Sequence, residues 1–142
     1  MGVVLDTGFL YALRKKKDKN HGRAARHLKE IDWKIQRVAI TSDLVVNETY
    51  TLMNRRSGGN PSALESLDKL FWGDDLFFRI IPLFGEDYRN IVTILRKFTT
   101  PKRILSFVDA SLIYLANKFN YLTILTFDAH FDGILNKLDL IT

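Results

Sequence analysis

The sequence predicts an α/β fold in which helices cover both faces of a mostly parallel sheet of about five strands. Short apolar runs alternate along the chain with longer segments whose apolar residues recur at helical spacing. Strands separated by helices are typical of a parallel sheet, because parallel neighbours need a crossover connection. The 142 residues and 46% apolar content fit a single domain spanning residues 1–142.

The first strand is predicted at residues 3–5, and it ends directly on Asp6. A small-residue turn and a helix through residues 11–13 follow. Open α/β folds build their sites from residues at the carboxyl tips of strands, which is one interpretation of Asp6. The alternative is that Asp6 only caps the next helix, since aspartate is a favoured N-cap. Taken alone, Asp6 is better explained as the cap.

The remaining elements follow from periodicity and from capping residues. Ser42 is the predicted N-cap of a helix that ends near Gly58, and Pro61 begins the next helix. Further helices are predicted at residues 21–31, 86–98 and 106–119, and further strands at residues 38–41, 76–82, 122–126 and 138–141. The sequence contains no internal repeat, low-complexity segment or linker.

The helix after Ser42 carries an acidic residue on its apolar side. Glu48 shares a face with Leu44, Val45 and Leu52, which are expected in the core. Buried carboxylates are rare unless they are paired or bind a metal ion, so this position favours a functional role. The alternative is a glutamate that extends to solvent or forms a salt bridge.

Two further acids stand at comparable positions later in the chain. Ser106 and Asp109 have the spacing of a capping box, and Asp109 also shares a face with the apolar Leu112. A structural cap and a functional carboxylate are therefore both compatible with Asp109. Asp128 follows the strand at residues 122–126, so it repeats the pattern seen at the first strand.

These four acids are expected to meet, because helix N-termini and strand C-termini share one edge of a parallel sheet. Clustered carboxylates repel one another, and one or two hard divalent cations relieve that repulsion. Such ions can activate water and stabilise the charge of a reacting phosphodiester. The three histidines have no metal-ligand spacing. His130 lies near Asp128 and is a candidate for contacting substrate, but a surface position is the favoured interpretation.

Two basic loops are candidates for binding a nucleic-acid backbone, because clustered lysine and arginine displace counterions from phosphates. The net charge of +5 favours polyanions only mildly. Ordinary solvated loops remain the alternative. The candidate contacts are Lys15, Lys16, Lys17, Lys102 and Arg103.

The composition excludes several classes of protein. An apolar run of about 18 residues, which a membrane span requires, is absent, and the first residues do not resemble a signal peptide. The sequence has no cysteine, which excludes disulfides and thiolate metal sites. We therefore expect a cytoplasmic protein that does not enter a membrane.

Four short motifs resemble those of the PIN-domain ribonucleases, in particular the toxin halves of VapBC toxin–antitoxin pairs. They are Leu5-Asp6-Thr7, Val46-Asn47-Glu48-Thr49, Phe107-Val108-Asp109-Ala110 and Leu125-Thr126-Phe127-Asp128-Ala129-His130-Phe131. Each motif alone is weakly specific, but the ordered set spans essentially the whole chain. The resemblance implies a three-layer α/β/α fold and a Mg²⁺- or Mn²⁺-dependent endoribonuclease acting on single-stranded RNA.

The resemblance also implies roles for particular residues. Asp6, Glu48 and Asp109 match the core metal-binding acids, and Asp128 matches a fourth acid that holds a second ion or a water. Together the four are the expected catalytic residues. One departure is Gly8, where many relatives have serine or asparagine, and the lost polar contact would loosen the site without removing a ligand.

Thr7 and Thr126 match hydroxyl positions that support the first and fourth acids in the family. Toxin members usually form homodimers and are inhibited by a small antitoxin, so both partners are expected here. The rival hypothesis is a catalytically inactive RNA-binding or scaffolding module on the same fold. A receiver-like phosphoaspartate switch is disfavoured, because Thr7 and Gly8 follow Asp6 where that fold expects adjacent acids.

Overall fold

The computed structural model describes residues 2–30 and 38–137. Its strands are β1 (Gly2–Leu5), β2 (Val38–Ser42), β3 (Arg79–Ile81), β4 (Thr123–Leu125) and β5 (Asn136–Lys137). Its helices are α1 (Thr7–Arg14), α2 (His21–Glu30), α3 (Asp43–Arg56), α4 (Pro61–Phe71), α5 (Gly85–Phe98) and α6 (Phe107–Phe119). None of these described helices is long and apolar enough to cross a membrane.

The strands form one sheet in the order β3-β2-β1-β4-β5, and every neighbouring pair is parallel. The prediction of an α/β fold with a mostly parallel sheet of about five strands is confirmed. The central strand β1 is buried along its whole length, as four apolar or small residues predict. A side chain at Gly2 would collide with the ring of Tyr121 unless that ring moved, which favours glycine at the start of β1.

The register of the two central strands determines what meets at the carboxyl edge of the sheet. Leu5 of β1 pairs with Leu125 of β4, and the Asp6 amide donates a hydrogen bond of 3.1 Å to the Leu125 carbonyl. Asp6 and Thr126 therefore leave the sheet side by side. The core behind this edge is apolar, with Phe9 and Leu112 fully buried.

The helices bring the remaining parts of the site to the same edge. Helix α6 packs against β1, β2 and α5, whereas α1 packs against α2, α3 and α4. Helix α3 begins directly after β2 and also contacts α6. The first turns of α3 and α6 consequently lie beside the tips of β1 and β4.

Some sequence-based details differ from the structure. The third strand is only Arg79–Ile81, and the last paired strand begins at Asn136. The strand predicted at residues 138–141 lies outside the described residues, as does the predicted end of the second helix at Ile31. Ser42 is the N-cap of α3 by position, but its hydroxyl hydrogen-bonds Ser111 at 3.0 Å rather than the α3 backbone.

Candidate active site

All four predicted acids line one cleft at the carboxyl edge of the sheet. The cleft has a volume of about 410 Å³, and it includes Asp6, Glu48, Asp109 and Asp128. Its walls come from the tips of β1 and β4, from α1 and α3, from the start of α6, and from the loop between α1 and α2.

Asp6 is both the cap of α1 and an acid of the cleft. One carboxylate oxygen accepts a hydrogen bond from the Thr7 amide at 2.7 Å, and the other accepts from the Thr126 hydroxyl at 2.7 Å. Burial raises the pKa of Asp6 from 3.8 to about 7; the hydrogen bond from Thr126 opposes this rise, and the nearby charges of Asp109 and Asp128 add to it. Asp6 therefore caps α1 and also lies in the cleft, and its functional role stays a prediction.

Thr126 connects the first and fourth acids. Its hydroxyl donates to Asp6 and accepts a hydrogen bond of 2.9 Å from the Asp128 amide. One side chain thus fixes the Asp6 carboxylate and the backbone that carries Asp128. The other predicted supporting hydroxyl, that of Thr7, is buried and has no hydrogen-bond partner in the described part of the chain.

Asp109 is held by the capping box that its spacing predicts. Its amide donates to the Ser106 hydroxyl at 3.0 Å, and its Oδ2 accepts from the Ser106 amide at 3.2 Å. The residue is buried, yet the carboxylate still faces the cleft. As with Asp6, the capping role and the position in the cleft coincide.

His130, for which the sequence favours a surface position over a substrate contact, lies against two of the acids. Its Nδ1 lies 3.1 Å from Oδ2 of Asp109 and 3.3 Å from Oδ2 of Asp128, so this ring joins two of the acids. A short 3-10 turn at Ala129–Phe131, capped by Asp128, holds the histidine there. The only signal in the sequence is that His130 follows Asp128 by two residues.

The predicted burial of Glu48 is wrong. Its side chain is exposed, and Leu44 and Leu52 on the same helix face are only half-buried. This face of α3 borders the cleft rather than the core, so helical periodicity alone could not locate the glutamate correctly. Glu48 forms no hydrogen bond or ion pair within residues 2–30 and 38–137.

The predicted phosphate contacts lie outside the cleft, whereas two other basic residues line it. Lys16, Lys17 and Lys102 are exposed, and Lys15 is half-buried. The guanidinium of Arg103 donates to the carbonyls of Asp132 at 2.6 Å and Phe98 at 3.3 Å, which ties two loops together. The basic residues that line the cleft are Lys19 and Arg56.

The acids fit a hard divalent cation in donor type and charge. All four offer carboxylate oxygens, and a cation beside Asp6 would favour its charged form against the burial, and the smaller repulsion from Asp109 and Asp128, that raise its pKa. Among the described residues, however, no three acidic or histidine side chains already stand at the spacing of an ion-binding cluster. Magnesium usually retains several waters and needs only one or two carboxylates, so a closed protein cage is unnecessary.

Comparisons with known proteins agree with this architecture. The family model described as "PIN domain" matches residues 3–134. The structure is similar to that of the VapC20 toxin of Mycobacterium tuberculosis, which is described as cleaving the sarcin–ricin loop. That similarity has a TM-score of 0.74 and 27% identity and covers 94% of this chain and 97% of the other.

A second similar structure is VapBC2 from Rickettsia felis, bound to a DNA fragment from its promoter. It has a TM-score of 0.70 and 15% identity, covers 96% of this chain and 97% of the other, and supports the fold alone. A comparison with curated protein sequences gave no match. The family model spans nearly the whole chain, and the protein therefore belongs to the PIN domain family.

Proposed function

We propose that this protein is a metal-dependent endoribonuclease that hydrolyses phosphodiester bonds in single-stranded RNA. The observation that carries the proposal is the convergence of Asp6, Asp109 and Asp128 at one edge of the sheet, in a cleft that Glu48 borders. Each of these three acids also caps a helix or turn, but capping alone does not require them to face one cleft together, whereas a positively charged ligand would.

In this proposal, Asp6, Glu48, Asp109 and Asp128 are the residues that hold Mg²⁺ or Mn²⁺. A bound ion of this kind supplies an activated water and offsets the negative charge that develops on the phosphodiester. Thr126 keeps the Asp6 carboxylate oriented, and the Ser106 amide does the same for Asp109. Thr7 places its unpartnered hydroxyl beside Asp6, where it can bind a water or a substrate oxygen.

The biological role that we propose is that of a cytoplasmic toxin in a toxin–antitoxin pair. The PIN family match and the 27% identity to VapC20 over 94% of this chain support that role. The partners are then the RNA substrate, a small antitoxin and a second copy of this chain. A sarcin–ricin loop oligonucleotide is the first structured RNA to test, because VapC20 is described as cleaving that loop.

The test is cleavage of a labelled single-stranded RNA in Mg²⁺, in Mn²⁺ and in excess EDTA. An Asp109→Asn variant, purified in the same way, is the control for a contaminating nuclease. We expect cutting by the parent protein only, and only with a metal ion. Equal cutting by the variant, or cutting that survives EDTA, would refute the assignment of the site.

The alternative is a catalytically inactive module of the same family that binds RNA or acts as a scaffold. The observation that favours it is the absence of a preformed ion-binding cluster among the described residues. The same assay separates the two functions. RNA binding without cleavage in either metal, for both the mixed RNA and the sarcin–ricin loop, would favour the binding module.

A further inference from the structure

Two basic residues line the acidic cleft, and neither is among the phosphate contacts that the sequence predicts, although one of them belongs to a predicted basic loop. They are Arg56, at the end of α3, and Lys19, in the loop between α1 and α2. We infer that Arg56, with Lys19, binds an RNA phosphate next to the scissile one and so sets the path of the strand through the cleft. This inference rests on the proposed ribonuclease function.

Arg56 belongs to the same face of α3 as the acid of that helix. Glu48, Leu52 and Arg56 are spaced by four residues, and all three line the cleft. The eight-residue separation places the Cα atoms of Glu48 and Arg56 about 12 Å apart along the helix. That separation leaves room for a phosphate beside the reacting one, so α3 carries both an acid and a cation along the cleft.

The Arg56 guanidinium is held against an aromatic ring and leaves its N–H groups available. It lies over the ring of Tyr11, 5.2 Å from the ring centre, and Tyr11 itself is buried. No hydrogen bond or ion pair to Arg56 occurs in the parts of the chain that the structure describes. Its N–H donors are therefore free for a phosphate, which a guanidinium can bind with two parallel hydrogen bonds.

Two other arginines are engaged elsewhere in the fold. Arg14 donates to Asp75 at 2.6 Å, and Arg103 donates to two backbone carbonyls. Their guanidinium groups stabilise the fold and have fewer donors left for a ligand. Arg56 thus differs from them in having an aromatic support and a place in the acidic cleft.

Lys19 projects from a loop that is fixed by its own hydrogen bonds. The Asp18 amide donates to the Lys15 carbonyl at 2.9 Å, and the Asp18 carboxylate accepts from the Asn20 amide at 2.9 Å. Lys19 is exposed and lines the cleft, whereas Lys16 and Lys17 are exposed but do not line it. The loop therefore brings one of its lysines to the site.

The experiment measures binding of a fluorescein-labelled single-stranded RNA of mixed sequence, with Mg²⁺ present. Every protein carries Asp109→Asn, so that cleavage does not interfere with the titration. Arg56→Gln is compared with Arg55→Gln, because Arg55 is also exposed in the last turn of α3 but does not line the cleft. Arg56→Lys retains the charge and removes the planar guanidinium.

We expect Arg56→Gln to weaken RNA binding about tenfold. The slope of the logarithm of the binding constant against the logarithm of the salt concentration should become shallower by about 0.7, which corresponds to one lost phosphate contact on a single strand. Arg56→Lys should keep most of the salt dependence and bind at an intermediate strength. Lys19→Gln should weaken binding less, because an ammonium binds phosphate as a point charge. Arg55→Gln should stay within about twofold of the background protein.

Equal affinities for Arg56→Gln and Arg55→Gln would overturn the assignment of Arg56 while leaving the ribonuclease proposal intact. Failure of the background protein to bind any RNA would overturn both, since the cleft would then have no RNA to orient. Thermal unfolding of each variant confirms that these exposed substitutions leave the fold unchanged.

Discussion

The two walls of the acidic cleft differ in how firmly their side chains are held. One wall, here called the sheet wall, consists of Asp6 and Asp128, which follow β1 and β4, and of Asp109 at the start of α6. Asp6 and Asp109 are buried and Asp128 is half-buried, and hydrogen bonds join the three to Thr126, Ser106 and His130. The helix wall, made of Glu48, Leu52 and Arg56, is more exposed and has no hydrogen bonds that fix it within the described residues.

This difference suggests that the two walls make different contributions to the site. Ligands that are fixed before binding give a site its geometry, since no free energy is then spent on orienting them. In the proposed function, side chains on an exposed helix face would be able to adjust to the ion and to the RNA strand. We therefore expect substitutions on the sheet wall to affect activity more strongly than substitutions on the helix wall.

The largest expected effect is the difference in cleavage rate between the Asp109→Asn and Glu48→Gln variants. The Asp109→Asn variant should cleave RNA about a thousandfold more slowly than the parent, because Asp109 is buried beside two other acids and belongs to the fixed sheet wall. Glu48→Gln should lose about tenfold to a hundredfold, since water can replace an exposed ligand. Single-turnover cleavage of one labelled RNA measures both rates. Equal losses would show that the two walls are equivalent.

The next effect is that of Thr126→Val on the sheet wall itself. This change removes the donor to Asp6 and the acceptor of the Asp128 amide, so activity should fall about tenfold to a hundredfold. The free energy of unfolding should fall by about 1–3 kcal/mol, because a half-buried amide loses its partner. Thr126→Ser keeps the hydroxyl and should restore most of both quantities in cleavage and urea unfolding assays.

Behind the sheet wall lies His27, a buried group that the proposed chemistry does not use. Its ring packs 6.2 Å from the rings of Phe9 and Phe127, and its Nδ1 has no hydrogen-bond partner among the described residues. The pKa of His27 is lowered from 6.5 to about 4, chiefly by burial and also by the nearby charges of Arg23 and Arg26.

Because the folded pKa of His27 is depressed, the unfolded chain binds a proton first as the pH falls. Stability should therefore decrease from about pH 6.5 towards pH 4, by about 2–3 kcal/mol from this group alone. His27→Leu should remove that part of the decrease. Urea unfolding at several pH values compares the two proteins, and parallel pH profiles would show that His27 makes no such contribution.

The smallest expected effect is that of Glu48→Gln on stability without added metal. An exposed side chain with no partner should change the free energy of unfolding by less than about 0.5 kcal/mol. Urea unfolding measures this directly, with Thr126→Val as the comparison on the sheet wall. A loss near that of Thr126→Val would mean that the helix wall is also fixed.

The sequence predicted the sheet, most of its helices and the meeting of the four acids, because these depend on periodicity and on strand polarity. Asp6 and Asp109 were located well, since a capping position is encoded by neighbouring residues. Glu48 was placed in the wrong environment. A helix face that lines a cleft has the same spacing of apolar residues as one that faces the core, and only packing distinguishes them.

Contacts between distant segments could not be predicted from local patterns. His130 reaches Asp109 across 21 residues, and the Thr126 hydroxyl reaches Asp6 across 120 residues. Ser42 has the local chemistry of a cap, yet its hydroxyl bonds Ser111 on α6 instead of its own helix. In each case the partner was set by tertiary contacts between distant segments, which the local sequence does not encode.

The most direct test of this account is calorimetric titration of Mn²⁺ into the parent protein, Asp109→Asn and Glu48→Gln at neutral pH. We predict saturable binding by the parent, loss of at least about tenfold in affinity for Asp109→Asn, and a smaller loss for Glu48→Gln. Absence of binding by the parent, or undiminished binding by Asp109→Asn, would contradict the claim that the carboxylates of the sheet wall form a divalent-metal site.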